Sequence, residues 1–235
     1  MLLGNTMPEF VGTTVLDTIG LVISGADSAL LSEMKKYNNV PHRALGVISS
    51  RTGAAGQITA VDEALKNTNA ELVSIDLPRD TKGWGGHGNY IVICSSDVSD
   101  VRRAVEISLE LTKKHAGEVY INEAGHLEFA YSANAGEALH KAFDIPLGQA
   151  FGFLAGSPAA IATVMADAAL KAADITVTKY MTPSVGTSHS NEVILAFTGK
   201  SYAVKNAVLR AREVGLALLR TMGGEPSGPS VPFLC

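Results

Sequence analysis

Hydrophobic and polar residues recur along this chain with two periods, and the switch from one to the other follows the same order twice. At 57–68, Ile58, Val61 and Leu65 fall at helical spacing and predict a helix with one apolar face. The apolar, β-branched runs at 71–77 and 89–95 predict strands. Around them the pattern predicts a strand at 15–24, a short helix at 27–34, a strand at 44–50 and a long amphipathic helix at 99–114. Asp27 and Ser99 stand where N-caps belong. From about His126 the order begins again: strand 127–133, helix 135–143, strand 149–155, helix 158–173, strands 175–181 and 192–197, then an amphipathic segment through 204–208. Pro158 falls in the first turn of its helix, where a missing N–H costs least. Helices and strands intermix, with a hairpin-like strand pair in each copy, so the fold class is α+β.

The two copies also share wording. Asp62-Glu63-Ala64-Leu65-Lys66, followed by Asn69, returns 105 residues later as Asp167-Ala168-Ala169-Leu170-Lys171, followed by Asp174. Leu45-Gly46-Val47-Ile48-Ser49 answers Phe151-Gly152-Phe153-Leu154-Ala155, and Val101-Arg102-Arg103-Ala104-Val105 answers Val204-Lys205-Asn206-Ala207-Val208. A unit of about 100 residues is too long for a solenoid repeat and right for a domain. The division this gives is an N-terminal extension at 1–13, domains at 14–122 and 123–224, and a Pro/Ser/Gly-rich surface arm at 225–235.

Composition narrows what two such domains do. The 235 residues are 46% hydrophobic and 18% charged, enough to bury two modest cores. A net charge of -4 with no clustered Lys/Arg stripe argues against a nucleic-acid partner. Apolar runs are broken within a few residues, so no membrane span is expected, and residues 1–14 lack the basic start and apolar stretch of a signal peptide. Cys94 reads as a buried strand thiol and Cys235 as a tail thiol. The six histidines have no His-x-x-x-His or Cys-x-x-Cys partners, so neither a metal nor a cofactor is assigned.

Gly83-Trp84-Gly85-Gly86-His87-Gly88 fits the dinucleotide pattern G-x-G-x-x-G, but a strand follows it where the pyrophosphate needs a helix N-terminus. It reads better as a long hairpin loop, 78–88, carrying Asp80, Lys82, Gly83, Trp84 and His87 as candidate contacts for small polar solutes. Its counterpart in the second copy offers Gly186, Thr187, Ser188 and His189. Two solvated connectors are the plain alternative. No catalytic residues are assigned: Asp62, Glu63, Glu106, Glu110, Asp167 and Glu213 fit solvated helix faces and caps, and adjacent Ser188 and His189 point apart.

The paired segments 62–69 and 167–174, each followed by strand, loop, strand and helix, resemble the bacterial microcompartment shell domain. Glu9-Phe10-Val11-Gly12-Thr13, Asp17-Thr18-Ile19-Gly20, Pro78-Arg79-Asp80-Thr81-Lys82-Gly83, Val98-Ser99-Asp100-Val101-Arg102-Arg103 and Ser190-Asn191-Glu192-Val193-Ile194 are similar to the tandem-domain shell proteins of propanediol and ethanol utilisation compartments. The resemblance implies two circularly permuted shell domains and a homotrimer shaped as a pseudo-hexamer, in a microcompartment shell within the bacterial cytoplasm. It implies no enzymatic activity. The implied partners are copies of the chain itself, other shell proteins, and small polar metabolites such as polyols or alcohols. The family's tile-edge lysine falls on Lys66 and Lys171, with Asn69 and Asp174 beside them, and its pore loop falls on 78–88 and 183–190. A trimeric regulatory module that binds a small molecule between the two loops is the alternative function.

Overall fold

The computed structural model describes residues 9–79, 87–187 and 189–235. The first half runs β1 (Glu9–Thr14), β2 (Thr18–Ile23), α1 (Ser28–Met34), β3 (Ala44–Ser50), α2 (Ala55–Lys66), β4 (Glu71–Asp76), β5 (Asn89–Ser95) and α3 (Val98–His115). After a 3-10 turn, Ala116–Glu118, the second half runs β6 (Val119–Asn122), β7 (Gly125–Ser132), α4 (Glu137–Phe143), β8 (Ala150–Ser157), α5 (Ala159–Ala172), β9 (Ile175–Met181), β10 (Val193–Gly199) and α6 (Ser201–Gly223). Each half folds its strands into one antiparallel sheet, in the order β1-β2-β3-β5-β4 and β6-β7-β8-β10-β9. The α+β class and the duplicated order of elements hold.

The first strand of each copy differs from the pattern's expectation. Residues 15–24 do not form one strand: β1 and β2 make a hairpin, and the chain reverses at Leu16 and Asp17, both with positive φ. Apolar alternation runs through both arms, and the turn carries no glycine to mark it. Residues 9–13, assigned from the sequence to an extension, are therefore part of the first sheet. The cap of α3 is Asp97 rather than Ser99, and its carboxylate accepts the Ser99 N–H at 2.8 Å. Asp27 caps α1 as expected, accepting from Ala29 N at 2.8 Å.

One hydrophobic cluster joins the two halves. It contains Ile48, Ile58, Val61, Ile91 and Val105 from the first and Leu139, Phe143, Phe151, Phe153 and Ile194 from the second. Phe143 stacks on Phe151 with ring centroids 5.3 Å apart. A second cluster lies between the other face of the second sheet and α5 and α6, with Leu154, Met165, Phe197 and Val208. Every residue of β8 is buried, as a strand covered on both faces requires. The first sheet's α1 face has only a small cluster around Leu31, Leu45 and Val73. Among the described residues no helix is long and apolar enough to cross a membrane.

Candidate functional site: the seam between the two domains

Helix α2 belongs by sequence to the first domain, yet it packs on α3 with one face and on β7 and α4 of the second domain with another. Residues 54–62 are buried throughout, and Asp62 lies among them. The Asp62 carboxylate, 0% exposed, accepts the backbone N–H groups of Gly136, Ala138 and Leu139 at 2.9, 3.1 and 3.2 Å. Gly136, the N-cap of α4, has no side chain to do this, so the cap arrives from the other domain. Lys66 pairs with Asp62 at 2.7 Å and donates to the Asn134 carbonyl, closing the rim of the seam.

A second carboxylate makes the reciprocal contact. Glu128 on β7 accepts from Ala54 N at 3.2 Å and Gly56 N at 3.2 Å, at the start of α2, whose N-cap Ala54 again supplies nothing itself. Each domain thus completes a helix of the other. Burial is the main force that raises the Glu128 carboxyl above its ordinary range, opposed by those N–H groups and reinforced by the charge of Glu192. Glu192 is itself held between two histidines: His87 Nδ1 lies 2.6 Å from Oε2 and His126 Nε2 lies 3.0 Å from Oε1. Burial resists its ionisation, but the bonds from His126 and His87 outweigh that and hold its carboxyl below the ordinary range. His87 comes from the first domain, His126 and Glu192 from the second, so this buried acid–histidine cluster also crosses the seam.

Of the proposed solute contacts, His87, Gly186, Thr187 and His189 fall among the described residues. Asp80, Lys82, Gly83, Trp84 and Ser188 lie outside the described residues. His87 is buried against Glu192, and Thr187 is buried with its hydroxyl donating to Thr182 O at 2.8 Å. Gly186 and His189 sit exposed in the turn at positive φ. Of the tile-edge candidates, Asn69 donates to Asp100 at 3.2 Å, Asp174 is exposed, and Lys171 pairs with Asp167 in the open, their side chains 76% and 60% exposed. The sequence reading missed Glu128, Glu192 and His126, and took Asp62 for a solvated helix carboxylate. An isolated acid inside Leu127-Glu128-Phe129-Ala130 was the available signal, because a charge in a buried strand needs dedicated partners.

The arm at 225–235 is also fixed rather than merely laid on the surface. Buried Glu118 accepts the N–H groups of Phe233 and Leu234 at 2.8 and 2.7 Å and pairs with Arg212 at 2.8 Å, while Phe233 meets His115 edge-on. Burial, with the Glu118 charge beside it, pushes the Tyr120 hydroxyl up to about 12. The arm runs from the second domain back to the end of α3 in the first.

Two sheets of identical order, joined through a helix that serves both, are matched twice by the BMC domain family, over residues 44–124 and 150–223. The chain belongs to the bacterial microcompartment (BMC) domain family. It is 51% identical to the bacterial microcompartment shell protein PduB of Citrobacter freundii, over 97% of this chain and 84% of that protein. The crystal structure of a trimeric shell protein PduB superposes with a TM-score of 0.91 at 44% identity, covering 97% of this chain and all of that one. EtuB from Clostridium kluyveri superposes with the same TM-score, 0.91, at 47% identity over 97% of this chain and 99% of that one. Within the BMC frame α2 and α5 are the same helix in two copies, and only α2 has its outer face covered.

Proposed function

We propose that this chain is a structural tile of a bacterial microcompartment shell in the cytoplasm, a homotrimer whose six BMC domains form a pseudo-hexagonal ring that packs beside hexameric shell proteins. Its role is assembly and barrier formation, not catalysis. The shell role of PduB and the trimeric state of its crystal structure support this. The observation on this chain that carries it is the bare face of α5. The same face of α2 is sealed by the next domain along the chain, and a ring of alternating domains would seal α5 in the same way. The compartment served is one of propanediol, ethanol or related alcohol and aldehyde metabolism, with small polyols or alcohols crossing near the loops 78–88 and 183–190.

Sedimentation of the purified chain together with electron microscopy of its assemblies tests the reading: a trimer that lays down sheets is expected, and a stable monomer that forms none would overturn it. We assign Lys66, Lys171, Asn69 and Asp174 to the tile edge. Replacing both lysines with alanine is expected to weaken sheet formation while a trimer persists at high protein concentration. Sheets of wild-type extent from that variant refute the edge assignment.

A further inference from the structure

Each copy in such a trimer has one seam within the chain and one joint to the next copy, and the residues that hold the seam are altered at the joint. On α2, Ile58 and Thr59 are fully covered; 105 residues later Thr163 and Val164 are exposed, Val164 at 48%. On α4, Ala138 and Leu139 are fully covered; two and three residues past the matching N-cap Asp27, Ala29 and Leu30 are exposed, Leu30 at 46%. Both halves of a seam therefore stand uncovered on one chain, but on different domains, and only a second copy brings them together.

The hydrogen bonds across that joint cannot be the same. Ile19 pairs with Ser49 as Glu128 pairs with Ala155, and Ser49 and Ala155 are repeat counterparts, so an isoleucine stands where the capping glutamate stood. Beside Ile19 an open groove of about 500 Å³ is lined by Thr13, Thr14, Asp17, Ser49 and Arg51. Across the joint, the start of α5 already takes Asn191 Oδ1 on Ala159 N at 3.2 Å, and so needs no carboxylate from outside. Asp167 keeps the position of Asp62, but the counterpart of Gly136 that it would face in a next copy is Asp27, whose own carboxylate already holds the Ala29 N–H at 2.8 Å. Where Asp62 meets a glycine, Asp167 would meet a like charge, with Lys171 as the neighbouring cation.

We propose that the joint between copies packs the α5 face around Val164 and Asp167 against Ile19, Ala29 and Leu30 of the next copy, and that Asp27 keeps this joint weaker than the seam within the chain. The inference rests on the trimeric reading above. Its consequence is that a shell tile comes apart into whole chains, each with its two domains still joined.

Dilution series of the full chain, followed by sedimentation or mass photometry, test it. Asp27→Gly, which recreates the Gly136 side of the seam, and Asp27→Asn, which keeps a cap but removes the charge, are each expected to lower the protein concentration of half-dissociation by about tenfold. Asp167→Asn placed on Asp27→Gly should return that gain. Val164→Glu should yield a monomer whose circular dichroism matches the wild type. Dissociation of a wild-type trimer unmoved or made easier by both Asp27 variants, or a Val164→Glu trimer as tight as wild type, overturns the proposal. A wild-type chain that never forms a trimer removes the trimeric reading instead.

Discussion

Helices α2 and α5 are repeats of one another, with Asp-x-x-x-Lys at matching positions, and they occupy opposite physical situations. Asp62 is sealed under a neighbouring domain and binds three backbone N–H groups; the Asp167 side chain is 60% exposed and pairs with its own Lys171. The same residue pair is a buried interdomain tie in one copy and a solvated i,i+4 pair in the other. Duplication copies side chains but not their surroundings, so the energetic weight of a residue here depends on what covers it.

The largest effect expected from breaking this comparison is at Asp62. Asp62→Ala strands three buried donors and the Lys66 ammonium, and is expected to cost about 3–5 kcal/mol in urea unfolding of the dilute chain. Asp167→Ala under the same conditions should stay within about 0.5 kcal/mol, since an exposed pair contributes little. Equal losses at both positions would erase the distinction between the helices.

Glu192→Gln comes next, at about 2–3 kcal/mol near neutral pH, because one amide oxygen replaces a carboxylate that two buried histidine nitrogens bond. Its pH dependence has a definite sign. The Glu192 carboxyl is depressed in the folded chain, so its stabilising contribution is complete above the ordinary value of 4.5 and is lost as the pH falls through the folded value. Glu128 works in the opposite sense: its raised carboxyl favours the folded state below 4.5, and that advantage fades as the pH rises through the folded value. Stability profiles of wild type and Glu192→Gln should therefore stay apart from pH 7 down to about pH 4.5 and converge only as the pH falls further, through the folded value. Parallel curves would show that Glu192 does not titrate with folding.

The smallest effect separates the loops. Gly186 has φ +89° and a Cβ there would lie 2.8 Å from the Met181 side chain, so Gly186→Ala should cost about 1–2 kcal/mol in thermal unfolding. An unchanged melting temperature would mean that the turn relaxes freely.

Much of this arrangement was legible in the chain because it follows from local patterns. The 3.6-residue spacing of Ile58, Val61 and Leu65, and the register between Asp62 and Asp167, gave the elements and the duplication. The hairpins were harder to see: in the first, β1 and β2 reverse at Leu16 and Asp17 without the glycine or asparagine that usually marks a turn. The seam was hidden for a different reason. Glu128 finds its donors at Ala54 and Gly56, more than seventy residues away, and no spacing rule reaches so far.

The amino-acid sequence by itself determined the two copies, the α+β order of their elements, and the family, because periodicity and wording are properties of neighbouring residues. Only the tertiary structure decided which copy of a repeated residue carries weight. Burial, and the donors and acceptors that meet under it, arise when distant segments pack together, and that packing joins Asp62, Glu128 and Glu192 across one seam while leaving Asp167 in solvent.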